Sequence, residues 1–195
     1  MKRHLIAAAA FVLVGASAFA QSTASTVQRD VNQQQRIENG LQQGSITSRE
    51  AALLERDESK VDKLQAQALK DGKLSDAERA RLKAAQNKAS RDINKAEHNG
   101  VNANPLSASS QRTQADVQRN INQEKRIEGG IKNGSLTNRE VANLERGQAH
   151  VDRKEFVAGR DGNVNAREQA RIQRSENRQS KKIHHEKTDA DQRKS

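Results

Sequence analysis

The chain contains no cysteine. Disulfides, thiolate metal sites and thiol catalysis are excluded, and the chain is inert to an oxidising compartment. Aromatic residues are nearly as scarce: there is no Trp, no Tyr and only three Phe, two of which (Phe11 and Phe19) fall in the first 20 residues. Proline occurs once, at Pro105. Beyond residue 20, Leu, Ile, Val and Phe make up 28 of 175 residues, below the roughly 20% at which a chain starts to run short of core. Such a composition does not build a deep apolar pocket around reactants. No nucleophile–base–orienter set, phosphate loop or zinc-protease helix stands in a motif either. An enzyme is therefore the least expected class. Outside the N-terminus nothing approaches the ~20 consecutive apolar residues of a transmembrane helix.

What is present begins with a leader. Lys2 and Arg3 precede a short apolar run, Leu5 to Gly15, and Ala18-Phe19-Ala20 supplies a small-x-small cleavage site. Residues 1–20 read as a secretory signal peptide, and the mature protein is expected in the periplasm or outside the cell after cleavage near Ala20. The formal charge of the whole chain is +10. The excess collects late, in Arg171, Arg174, Arg178, Lys181, Lys182, Lys187, Arg193 and Lys194. Such a patch suits a protein partner or an anionic envelope component. Without stacking aromatics, nucleic acid is not expected.

The strongest signal is a gapless repeat at an offset of 90. Aligning residues 27–99 with 117–189 gives 29 identities in 73 positions. The two copies read as modules, with 100–116 as a flexible linker and 190–195 as a basic, disordered tail. Val27, Val31, Ile37 and Leu41 share one face of a 3.6-residue period, and Val117, Ile121, Ile127 and Ile131 repeat it. The expected fold is all-α: a tandem duplication of a three-helix antiparallel module, with helices near 27–43, 47–70 and 75–97 in the first copy. The apolar stripes are narrow, so loose packing is expected, with Gln, Glu, Lys and Arg on solvent-facing sides. Oligomeric state is left open.

Four Gly-x-apolar-[Ser/Thr/Asn]-x-x-Glu units separate the helices, at Gly44, Gly72, Gly134 and Gly162. One reading is a helix stop followed by a capping box, with Thr47, Ser75, Thr137 and Asn165 as N-caps and Glu50, Glu78, Glu140 and Glu168 three residues on. The other is weak calcium binding, since Asp71-Gly72 through Ser75 to Glu78, and Asp161-Gly162 through Asn165 to Glu168, resemble the second half of an EF-hand loop. Positions 1 and 3 of such a loop would lack their acidic ligands: they would be Gln67 and Leu69 in one, Val157 and Gly159 in the other. Apart from this weak calcium no cofactor is expected.

The pattern Arg-Ile-Glu-x-Gly-x-x-x-Gly-Ser-[Ile/Leu]-Thr-x-Arg-Glu, followed by Asp-Gly-x-[Leu/Val]-x-x-x-Glu, resembles a class of small exported bacterial helical-repeat proteins. Leu136-Thr137-Asn138-Arg139-Glu140 is also similar to the Leu-Thr-x-x-Gln helix start of the Spy and CpxP type of periplasmic stress proteins, with Glu in place of Gln. The expected function is that of a non-enzymatic envelope protein whose charged faces bind a protein partner or an anionic surface, with a role in the stress response. A divalent-cation binder and a holdase-like chaperone are the alternatives.

Overall fold

The computed structural model describes residues 14–189, with side chains from 22 onward. The expected leader falls chiefly on 1–13 and the expected tail on 190–195, both outside the described residues. Six helices and no strand are present among the described residues: α1 (Val14–Gln43), α2 (Ser48–Ala68), α3 (Asp76–Glu97), α4 (Ala108–Lys132), α5 (Asn138–Gly159) and α6 (Ala166–Thr188). None is long and apolar enough to cross a membrane.

The copies pack into each other. α2 makes its most extensive contact with α5, and α1 with α4. Both pairs run antiparallel. Ser59 donates its hydroxyl to the Ala149 carbonyl at 2.8 Å, and a Cβ on Gly159 would lie 2.8 Å from that of Ala52. The Gln118 side chain lies against Glu38, and the Gln28 side chain against Glu128. α1, α2, α4 and α5 thus form a central four-helix bundle. α3 and α6 flank it, fixed by the Arg36–Glu97 ion pair and by Arg126 on the Ser180 carbonyl and hydroxyl.

Two large apolar clusters close the bundle's ends, and the 90-residue shift relates most of their members, while a smaller third cluster gathers Ala158, Val164 and Ile172. Ile37, Leu41, Ile46, Leu54 and Ile93 are joined by Val117 of the other copy. Ile127, Ile131, Leu136, Leu144 and Ile183 are joined by Val27. Each copy therefore completes the other's core. The stripes are narrow because the interior between these clusters is filled by polar side chains, many of them acidic.

The four junctions are capping boxes. Thr47, Ser75, Thr137 and Asn165 accept from the backbone N–H of Glu50, Glu78, Glu140 and Glu168, whose carboxylates return to the cap residues. Thr47→Ala and Thr137→Ala should each lower unfolding free energy by ~1 kcal/mol, read from urea transitions.

The chain between the copies is shorter than the expected linker. Ser107 caps α4, so 108–116 is helix. Ala103 N–H donates to the Gly44 carbonyl at 2.8 Å, which ties this segment to the first junction. Gly44 has φ 77°, and a Cβ there would sit 2.6 Å from the Ala103 oxygen. At its repeat-equivalent Gly134 (φ 79°) a Cβ would meet nothing within 4 Å. Gly134→Ala should therefore cost only the left-handed penalty of ~1–2 kcal/mol. Gly44→Ala should cost more, a difference that paired thermal melts would resolve.

Candidate metal centre

The polar interior is built by spacing. Glu55, Glu58, Asp62 and Gln65 follow i, i+3, i+7, i+10 along α2, and Glu145, Gln148, Asp152 and Glu155 repeat that spacing on α5. Such spacing places four side chains on one helical face. α2 and α5 are the innermost helices, so these faces meet at the bundle centre, and all eight side chains are buried.

Two groups of carboxylates result. In the first, Glu55, Asp152 and Glu155 each bring an oxygen within 4.8 Å of the others. Gln34 of α1 donates to Glu55 at 2.9 Å, and Asn120 of α4 donates to Glu155 at 2.9 Å. In the second, Asp62, Glu124 and Glu145 converge within the same 4.8 Å, with the Gln65 amide beside Glu145 and the Gln148 amide beside Glu124. The carboxyls of Asp62 and Asp152 meet where the groups adjoin.

Few of these polar atoms are satisfied. Both side-chain oxygens of Glu145, and the amide oxygens and nitrogens of Gln65 and Gln148, have no well-aligned hydrogen-bond partner. Glu58, buried nearby, has none on either oxygen. Asp30 accepts from Gln86 at 2.6 Å and leaves its other oxygen unmatched. No ion pair recorded among the described residues reaches either group of three. The buried Glu176 is paired, with Arg119 Nε at 2.7 Å.

Burial raises every one of these acids. It lifts Glu55 to about 8 and Asp62 to about 7. Burial, then the neighbouring carboxylates, pushes Glu58, Glu124, Glu145, Asp152 and Glu155 well above the ordinary carboxylate range. Asp30 is raised by burial and by Asp62. Near the far end of α4 burial brings Asp116 to about 7 and Glu176 to about 8. Two like charges 4 Å apart repel by ~4 kcal/mol even at an effective dielectric of ~20. Such a cluster holds either protons or a cation. Its ligand chemistry, three carboxylates with a carboxamide at hand and no sulfur or imidazole, is that of hard, oxygen-seeking ions.

The residues singled out from the sequence lie elsewhere. Asp71 accepts from Lys73 N–H at 2.9 Å, and Asp161 from Asn163 N–H at 3.0 Å. Ser75 with Glu78, and Asn165 with Glu168, are engaged in capping. Asp71, Ser75, Asp161 and Asn165 are exposed. Their oxygens serve the loops' own backbone, so Asp71→Ala with Asp161→Ala should leave cation affinity within about twofold of the parent by calorimetry, the remaining exposed charge being screened.

Sequence reasoning missed the interior acids because it assigned Glu and Gln to solvent-facing sides. The available signal was the seven-residue interval between Glu55 and Asp62, returned by Glu145 and Asp152 with Leu54 and Leu144 alongside.

A second feature lies on the surface between α5 and α6. Arg153, Lys154, Arg171, Arg174 and Arg178 line a groove together with Val157, Ala158, Ile172 and a single acid, Glu168. Burial and the charges of Arg178 and Arg174 lower the Lys154 ammonium below its ordinary value. In comparisons with known proteins, no family model, curated protein or solved structure matches the chain.

Proposed function

We propose that this chain is an exported, non-enzymatic protein that takes up hard metal cations in the interior of its helical bundle. The single observation behind this reading is the convergence of Glu55, Asp152 and Glu155, and of Asp62, Glu124 and Glu145, in a buried space that no recorded ion pair neutralises. Buried charge without a partner is expensive, and a bound cation supplies one. The duplicated three-helix module accounts for the arrangement, since each copy donates its α2 or α5 face to the same centre.

The test is metal retention. Chelator-stripped full-length protein is equilibrated with calcium, manganese or lanthanum, passed through a desalting column and analysed for metal. Retention at stoichiometric levels, abolished in the Glu55→Gln/Glu145→Gln double variant, supports the reading. Metal-free protein in every case overturns it.

The basic groove favours a second activity, binding of an anionic envelope component. Cosedimentation with phosphatidylglycerol vesicles should fall with salt, because exposed charges are screened beyond ~10 Å at 0.1 M. It should also fall in Arg174→Glu/Arg178→Glu. Binding that ignores both would sink this reading. A holdase role has less support, because the large apolar side chains exposed among the described residues are only Leu53, Val101, Leu106 and Val157.

A further inference from the structure

The two groups of carboxylates are related by the repeat, with one exchange between them. Under the 90-residue shift Glu55 corresponds to Glu145, and Asp62 to Asp152. The third acid does not correspond. Glu155 of the first group is matched by Gln65 in the second, and Glu124 of the second is matched by Gln34 in the first. Over these four positions each group holds one Glu, one Asp, a third carboxylate and one carboxamide, with the last two exchanged between the available positions. The copies have diverged at both positions, yet each group keeps three carboxylates, with Asn120 beside the first and Gln148 beside the second as a further carboxamide. Independent drift of a solvated face gives no reason for such an exchange.

The groups also adjoin. Asp62 belongs to one and Asp152 to the other, and their carboxyls are in contact. Six carboxylates consequently share one interior space, with Asp30 and Glu58 buried beside them. The amides of Gln65 and Gln148, almost wholly buried, lie beside the Glu145 and Glu124 carboxylates without a well-aligned hydrogen bond, and such unsatisfied polar atoms point to a ligand in this interior. Two divalent ions would leave the six carboxylates with a charge of −2, before Asp30 and Glu58 are counted. Two trivalent ions would neutralise them. In a low-dielectric interior the trivalent pair leaves the least uncompensated charge without protons retained on the six carboxylates.

We propose that this interior is a paired site for two hard trivalent cations, one held by Glu55, Asp152, Glu155 and Gln34 and the other by Asp62, Glu124, Glu145 and Gln65. This rests on the cation-binding reading above and goes beyond it in stoichiometry and in ion charge.

Europium(III) is a suitable probe, since its luminescence lifetimes in H2O and D2O report the waters left on the ion. Chelator-stripped full-length protein is titrated with europium and followed by native mass spectrometry and by lifetime. Two europium ions per chain, mostly stripped of water, are expected, with calcium competing at least about 100-fold less well. Glu155→Gln should bind one ion. Glu155→Gln/Gln34→Glu, which rebuilds in the first group the arrangement used by the second, should bind two again, with circular dichroism confirming that both variants are folded. One ion in the parent, failure of the rescue in a folded protein, or calcium competing on equal terms overturns the paired trivalent site while leaving cation binding intact. No ion of either charge overturns cation binding itself.

Discussion

Stripped of metal, the protein should lose stability steeply as pH rises from 5 to 8, and added cation should reverse the trend. The sign follows from the raised carboxyls. A carboxyl whose folded pKa lies above its unfolded value binds more protons in the folded state. Its stabilising contribution is complete below the unfolded pKa, near 4, and is lost as pH rises through the folded pKa. For Asp62 and Glu55 that loss extends to about 7 and about 8, and Asp116 and Glu176 behave alike. Each such group contributes ~1.4 kcal/mol per pH unit across its window, so two or three can exhaust the ~5–15 kcal/mol that holds a domain folded. Far-UV circular dichroism melts in chelator should show a lower midpoint at pH 8 than at pH 5. With lanthanum the order should invert, because protons compete with the ion only at the acid end. Equal chelator midpoints at both pH values would contradict this assignment of the interior.

Neutralising the interior should stabilise the metal-free protein, the opposite of the usual result in a core. Glu55→Gln with Glu145→Gln removes two charges while keeping shape and leaving carboxamides that can donate to the remaining acids. At pH 8 the double variant should unfold with a free energy ~2–4 kcal/mol higher than the parent, measured in urea with chelator. Ordinary substitutions in packed interiors destabilise by ~0.5–3 kcal/mol. At pH 5, where the parent carboxyls hold protons, the gain should largely vanish. A variant less stable than the parent at both pH values would mean that these carboxylates are structurally satisfied, and the case for a cation would fall with that result.

The fold class was legible because the helical signals are local. Val27, Val31, Ile37 and Leu41 mark one face, and each Gly-x-apolar-[Ser/Thr/Asn]-x-x-Glu unit carries its own stop and start. All four form capping boxes. The candidate site was not legible, because a Glu at a seven-residue interval looks the same on a solvated face and in a bundle seam. What separates the two is the partner helix. Glu55 is buried because α5 lies over α2, with Asp152 and Glu155 opposite, and that pairing joins residues far apart in the chain. Narrow apolar stripes predict loose packing. In the structure the apolar residues close the ends of the bundle, and Gln33, Gln34, Gln123 and Gln148 fill the middle beside the acids. In the Asp-Gly loops Asp71 and Asp161 resemble known ligand positions, whereas their oxygens serve the backbone turns that start α3 and α6.

The most direct test is to count protons as metal enters. Isothermal titration calorimetry of chelator-stripped protein with lanthanum at pH 7, in two buffers of different ionisation enthalpy, gives the protons released per ion. Ions that enter the buried carboxylates must displace the protons held there, so clear release is expected, about one proton or more per ion. The same titration of Glu55→Gln/Glu145→Gln should lose most of its heat. Binding without proton release, or with equal heat in that variant, would place the metal on exposed carboxylates and contradict the interior site.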